Sequence, residues 1–502
     1  MADMQENVSL HKPAEKNHPV ITNVGYETKK HGHCDISDLV LVKYKCQAIG
    51  VPVTTSNGST LPLVPEAVTD TESGYDPFQH RRVPHSTTNF ETLIHLLKGS
   101  LGTGILAMPL AFRNAGLFFG LFATFGIGFI CTYCIHVLVK CSYILCQRMK
   151  VPSLTFADVA ENAFLTGKPS LRKYSGFARG LVDLFLCVDL LGCCCVYVVF
   201  VSKNLKQVAD FYDYKFELSL WMFMLLIPLV LLNLIRNLKF LAPFSMIANV
   251  LTGAAMAITF YYIFYGGLPS IHEREPVAEW HCLPLFFGTA IFALEGIGVV
   301  MPLENNMKTP QHFLGCPGVL NIGMFLVVSL YTGFGFFGYL KYGDTVDGSI
   351  TLNLPPEDIL AQSVKVMIAI AIFVTYSLQF YVPMEIIWKS VKHRFTSNHG
   401  AYENGLRVFL VICTVVIAAL VPELGPFISL IGAVCLSMLG LIFPSIIELI
   451  TYQAELGKIS YWVIFKNISI ISFGILGFVT GAYTSIDEII QKHFASAAAA
   501  TQ

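Results

Sequence analysis

Charge is what this sequence lacks. Only 13% of its 502 residues are Asp, Glu, Lys or Arg, well below the roughly 25% usual in soluble globular domains. A basic excess is missing as well: 33 Lys and Arg against 34 Asp and Glu leave a formal net charge of −1, which argues against a nucleic-acid partner. The N-terminal region has no apolar run long enough for a signal-peptide core. No phosphate loop, metal-ligand spacing or nucleophile motif marks an enzyme, so no cofactor or metal is expected. Cysteine is not scarce, at 14. Most of it, including Cys131, Cys134 and the run Cys193-Cys194-Cys195, falls in apolar stretches, where thiols serve as small buried hydrophobes.

What is abundant is apolar surface. The chain is 54% hydrophobic with a mean hydropathy of +0.60, which makes it an integral membrane protein. Residues 1–88 are polar and read as a disordered cytosolic tail. Within that tail, Tyr75-Asp76-Pro77-Phe78 has the form of an endosomal sorting signal, although so short a pattern also arises by chance. From residue 89 onward, apolar stretches approach the ~20 residues needed to cross a hydrocarbon core. Eleven are expected, at about 92–113, 116–139, 180–202, 218–235, 242–267, 284–303, 319–340, 363–388, 406–421, 425–449 and 461–484. Residues 89–488 thus form one all-α transporter-like domain, and 489–502 a short C-terminal tail.

The Lys and Arg of the connections, from Arg148 and Lys150 to Lys458, fall mostly on one side, against Lys203, Lys206, Lys215, Arg274, Lys341 and Lys492 on the other. The positive-inside bias therefore places the N-terminus in the cytosol, and an odd span count places the C-terminus outside or in a lumen. The sequons at Asn7 and Asn57 are then cytosolic and that at Asn467 lies in a span, so none is an acceptor.

The first span contains helix breakers: Gly102-Thr103-Gly104-Ile105-Leu106-Ala107-Met108-Pro109-Leu110. The sixth repeats the pattern with one residue less, as Gly296-Ile297-Gly298-Val299-Val300-Met301-Pro302-Leu303. In lipid an unpaired backbone N–H or C=O costs several kcal/mol, so a break survives only against protein or a water-filled cavity. Interruptions at spans one and six are what a five-plus-five inverted repeat produces, with span eleven appended. Half-helix ends expose N–H groups that suit a carboxylate and carbonyls that suit an ammonium. A zwitterionic amino acid matches both. The structural alternative is that glycine merely permits close helix packing.

The residues Phe90 to Gly99 running into GTGIL, Phe292 to Asn305, Gln379-Phe380-Tyr381-Val382-Pro383 and Ile428-Ser429-Leu430-Ile431-Gly432 resemble the proton-coupled amino acid transporters of the amino acid/auxin permease superfamily. The resemblance covers about residues 89–490. It implies symport of small neutral amino acids of the glycine, alanine and proline type with protons into the cytosol, at the plasma membrane or at the late endosome or lysosome. It also implies that His95 takes part in proton coupling.

An ionisable group inside a span is a functional candidate by default. A histidine, with an ordinary pKa near 6.5, changes charge over modest pH differences. His95 and Glu295 are thus the candidate proton-coupling residues. Gly99, Ser100, Gly102, Thr103, Gly104, Phe292, Gly296, Gly298, Tyr376 and Gln379 are the candidate substrate contacts. Lys98 is placed to attract a carboxylate or to occupy an ion's space, or else snorkels to the interface. Asp189 in span three is a carboxylate the family does not lead one to expect, and it leaves the coupling ion open. Loops 203–217 and 341–362 hold no cysteine, so the disulfide known from vertebrate members cannot form. The competing functional class is an amino acid sensor that signals through its N-terminal tail with little net flux.

Overall fold

The computed structural model describes residues 75–81, 83, 86–100, 102–235, 238–294, 296–395, 398–456 and 459–500. Glu295, the sequons at Asn7 and Asn57, and residues 1–74 of the expected tail lie outside them. Among the described residues the chain is helical, with one isolated bridge between Thr87 and Met307. Seventeen α-helices follow one another: α1 Pro77–His80, α2 Asn89–Ser100, α3 Thr103–Ala115, α4 Leu117–Met149, α5 Phe156–Thr166, α6 Pro169–Arg172, α7 Ser175–Phe211, α8 Leu218–Asn233, α9 Leu238–Phe264, α10 Leu283–Ala293, α11 Ile297–Asn305, α12 Val319–Tyr342, α13 Ile359–Val391, α14 His399–Leu420, α15 Leu424–Ile431, α16 Phe443–Leu456 and α17 Tyr461–Ala500. Between α15 and α16 the segment Gly432–Ile442 is π-helical.

Nine described helical segments are long and apolar enough to cross a membrane, and α2 with α3, bent by 55°, makes a tenth. α8, at 16 residues, is an apolar helix shorter than a full span. Each apolar stretch of the sequence therefore coincides with a helix. Several polar side chains within these helices satisfy themselves locally: Thr124 donates to the Gly120 carbonyl at 2.7 Å and Thr259 to that of Ala255 at 2.7 Å. A hydroxyl that bonds back one turn carries little cost in an apolar surrounding. The expected thiol role agrees with the described spans, where Cys131, Cys134 and Cys193 to Cys195 are buried.

Two boundaries differ from the sequence expectation. Tyr75–Thr88, assigned by composition to the tail, carries α1 and is tied to the bundle through Arg81 and Thr87. At the other end α17 continues to Ala500, because residues 495–500, Ala-Ser-Ala-Ala-Ala-Ala, are strong helix formers with no breaker among them.

The core is built by backbone approach. α3 touches both α10 and α12, and α10 is covered on another side by α15 and the π-helical segment. A Cβ on Gly104 would lie 2.7 Å from the Cα of Ala293, one on Gly288 2.3 Å from the Ser429 carbonyl oxygen, and one on Gly432 2.0 Å from the Gly288 carbonyl oxygen. Only glycine fits where the obstacle is main chain, since a neighbour's backbone cannot swing aside as a side chain can.

A methyl at Gly432 must force α10 and the π-helical segment apart. Overpacking of this kind costs about 1–3 kcal/mol, occasionally more. Gly432→Ala should lower the melting temperature of the purified protein, whereas Gly180→Ala, with nothing within 4 Å of the added Cβ, should leave it unchanged or raise it.

Candidate functional site

Both expected breaks are present. α2 ends at Ser100 and α3 begins after Gly102, in extended conformation at φ −125°, ψ −150°; α10 ends at Ala293 and α11 begins after Gly296, at φ −143°, ψ −3°. Neither Gly102 nor Gly296 offers a side-chain cap, so α3 and α11 start with uncapped backbone N–H groups. Such helix N-termini favour an anionic group by about 0.3–1 kcal/mol each, and up to about 2 kcal/mol when partly buried.

The breaks face each other. A Cβ built on Gly99 would meet Val299 at 3.4 Å, and one on Gly296 would lie 3.8 Å from the Ser100 hydroxyl oxygen. Ser100 is 6% exposed, and its hydroxyl has no hydrogen-bond partner among the described residues. The Ser100 carbonyl, by contrast, accepts from the Gly102 N–H at 3.0 Å and from the buried Tyr331 hydroxyl of α12. Tyr197 of α7 brings its hydroxyl to Gly102, 3.9 Å from where a Cβ would stand. Two cavities flank this centre. One, about 20 Å³, is lined by Cys131, Ile135, Leu294, Gly296 and Leu436 among others. The other, about 10 Å³, lies between Tyr197, Phe373, Tyr376 and neighbouring aliphatics. Each volume is on the scale of a single water.

Of the expected contacts, Ser100, Thr103, Gly104, Phe292 and Gly296 are buried around the two breaks, with Gly102 and Gly298 half-buried and Gly99 on the exposed edge. Tyr376 is buried, but its hydroxyl is 2.7 Å from Thr414 of α14, so it braces α13 against α14. Gln379 is half-buried one turn further on. His95 and Lys98 are exposed on α2, which places their side chains on its outer face, away from the centre between the breaks. Asp189 is fully buried on α7, eight residues from Tyr197 and hence about 12 Å along the helix. Tyr331 and Tyr197 are the residues sequence reading missed. Their signal was a hydroxyl inside an apolar span, which identifies a polar group but not what it faces.

Ser100→Ala removes a buried hydroxyl that satisfies nothing in the protein, so it should not lower thermal stability. If that hydroxyl contacts substrate, the variant should raise the KM for amino acid uptake several-fold. Tyr331→Phe strips one of two donors from a buried carbonyl at the break, a loss of about 0.5–1.5 kcal/mol, and should lower both stability and kcat/KM. Thermal melts and uptake kinetics on the two variants check this pair of opposed outcomes.

Comparison with known proteins bears on this geometry. The profile of the transmembrane amino acid transporter protein family matches residues 85–487. The chain is 47% identical over 421 residues to the proton-coupled amino acid transporter-like protein pathetic of Drosophila melanogaster, covering 84% of this chain and 89% of that one. It is 27% identical over 428 residues to the amino acid transporter AVT3C of Arabidopsis thaliana, covering 81% and 92%. In fold it is similar to the inward-facing conformation of Mhp1, with a TM-score of 0.56 at 12% identity over 88% of this chain and 96% of that one. The chain belongs to the transmembrane amino acid transporter family, on the proton-coupled amino acid transporter branch of the amino acid/auxin permease superfamily, and is a secondary transporter of amino acids rather than an enzyme.

Proposed function

We propose that this protein carries small neutral amino acids, of the glycine, alanine and proline type, into the cytosol together with protons, by alternating access around the paired breaks. The observation that carries the reading is the juxtaposition of Ser100 with Gly296 and of Gly99 with Val299. It sets uncapped N–H groups beside half-helix carbonyls, the two chemistries a zwitterion needs. Close walls favour a small side chain: Gly104 has no room for a methyl against Ala293. In this reading α8 is a crossing, the spans number eleven, and the first ten form a five-plus-five inverted repeat. The positive-inside bias puts Tyr75–Thr88 on the cytosolic face.

His95 and Glu295 are the proposed proton-coupling pair. His95 stands one turn before Gly99 on α2 and is exposed there rather than sealed in the core, and a carrier's proton group must meet water on each face in turn. Plasma membrane and late endosomal or lysosomal membranes are the proposed locations. The sensor reading keeps one supporting observation, the docking of the N-terminal segment onto α11 through Arg81 and Glu304.

Uptake of labelled glycine, alanine or proline into expressing cells should rise as the outside is acidified and carry inward current. Uptake indifferent to pH but abolished without sodium would replace the proton by sodium. His95→Ala should flatten the pH dependence while leaving the protein at the membrane, and a variant with the normal pH response would remove His95 from the coupling.

A further inference from the structure

Arg81 and Glu304 lie 223 residues apart in sequence, yet form an enclosed ion pair between the N-terminal segment and the bundle. The Arg81 guanidinium donates to Glu304 Oε1 at 2.9 Å and to the Glu304 carbonyl at 3.2 Å through Nη1, and to the Pro152 carbonyl at 3.0 Å through Nε. The two side chains are only 7% and 6% exposed. Around them the segment is stitched down at several points. The Phe78 ring stacks on Tyr143 of α4 at 4.7 Å, and the Thr87 N–H donates to the Asn306 carbonyl at 2.8 Å while its own carbonyl accepts from Lys308 at 2.9 Å. Beneath lies a cavity of about 420 Å³, walled by Phe78, Arg81, Tyr143, Cys146 and Glu304 among others.

What the segment grips is the far end of α11. That helix has nine residues, about 13 Å of rigid rod, with Gly296 at the break at one end and Glu304 in the latch at the other. A tilt of α11 that opens the break toward this face must carry Glu304 away from Arg81. Separating a buried pair without compensation is costly. Here the same tilt admits water to both charges, which lowers the cost of opening and makes the latch reversible.

We propose that Arg81 and Glu304 are positioning residues for transport. Through Arg81 the N-terminal strap latches α11 and keeps the tail-side mouth shut, and its release is the step that opens the site to that face. This rests on the transport reading above, in which that face is cytosolic. Neither residue touches substrate, and both act through α11.

Cys146 supplies a reporter already in place, since it is 1% exposed and forms part of the cavity wall under the strap. The full-length protein, with its other accessible cysteines replaced by serine, is exposed on its tail side to a membrane-impermeant maleimide in inside-out vesicles. Labelling of Cys146 should be slow in the parent protein and faster when saturating alanine drives the transport cycle. In Glu304→Gln, which keeps the shape and removes the charge, labelling should be faster by about tenfold, the ratio that ~1.4 kcal/mol of lost closure corresponds to. Arg81→Lys, which keeps charge but not the two-sided fork, should fall between. Uptake should show lowered kcat with a smaller change in KM, because the substrate site itself is untouched. Cys146 labelling that responds neither to alanine nor to either variant, in protein that still transports, overturns the latch and leaves the transport reading intact. A parent protein that moves no amino acid under any gradient instead overturns the transport reading. If Glu304→Gln fails to reach the membrane, Arg81→Lys alone decides between these outcomes.

Discussion

The backbone's demand for hydrogen bonds in a solvent that supplies none governs this molecule. Every break in a membrane helix frees N–H and C=O groups that only protein or a trapped polar cavity can satisfy, and the two breaks here obtain their partners in different ways. At the first, the freed Ser100 carbonyl is taken up by the Gly102 N–H and by Tyr331 from another span. At the second, the N-terminal turn of α11 closes on itself, with Val299 and Val300 both donating to the Gly296 carbonyl at 3.2 and 3.0 Å. Because neighbours must come close enough to shield these groups, the surrounding helices approach at backbone distance. Glycine at 104, 288 and 432 follows from that requirement.

The same constraint explains the charges that remain inside. Glu448 of α16 accepts from Lys466 Nζ at 2.8 Å and from Asn467 Nδ2 at 2.7 Å, and Lys466 also bonds the Tyr133 hydroxyl of α4. Four polar side chains from three helices thus bond one another and fix α17, whose remaining surface is largely exposed to the surroundings, onto the bundle. Asn467 is therefore a structural donor, and its position in a sequon is incidental. Arg407 is held in the same manner by Glu403 at 2.8 Å and by the Asn233 carbonyl at 3.3 Å. Such pairs contribute little net stability but are costly to break singly, so they specify which helices meet rather than how strongly.

Much of the fold was legible because its signals are local. Apolar length marks each helix, and Gly-x-Gly followed by Met-Pro-Leu marks both breaks, since glycine and proline disturb a helix wherever they stand. What joins the breaks to their surroundings was not legible. Tyr331 and Tyr197 reach the first break from spans more than ninety residues away in sequence, with no periodic pattern to show which way a lone hydroxyl faces. Tyr376, expected from its place beside Gln379 as a substrate contact, also bonds Thr414 through its hydroxyl, a partner no sequence pattern marks. The strap was hidden for a compositional reason. Polar residues 75–88 look like tail because what docks them is largely hydrogen bonds to carbonyls and one arginine, with Pro77 and Phe78 too short an apolar signal to stand out.

Polar side chains reach loop backbone at both ends of the bundle, as Arg81 does at the Pro152 carbonyl. On the face opposite the strap, the loop after α12 is held by Gln207, which donates to the Leu352 carbonyl at 2.8 Å, by Asn204, which accepts from Thr351 at 2.9 Å, and by the fully buried Lys365, which donates to the Leu354 carbonyl at 3.2 Å. A seal of this kind differs physically from packed apolar surface. Exposing apolar area costs free energy in proportion to the area wetted, whereas a hydrogen bond opened to water is replaced by one of similar strength, at a net cost of about 1 kcal/mol each. In the transport cycle proposed above, two seals made from a few such bonds would let either end open at modest cost. The core between α3, α10 and the π-helical segment is packed at backbone distance, so in that cycle α11 and the loops that hold it are the parts expected to move.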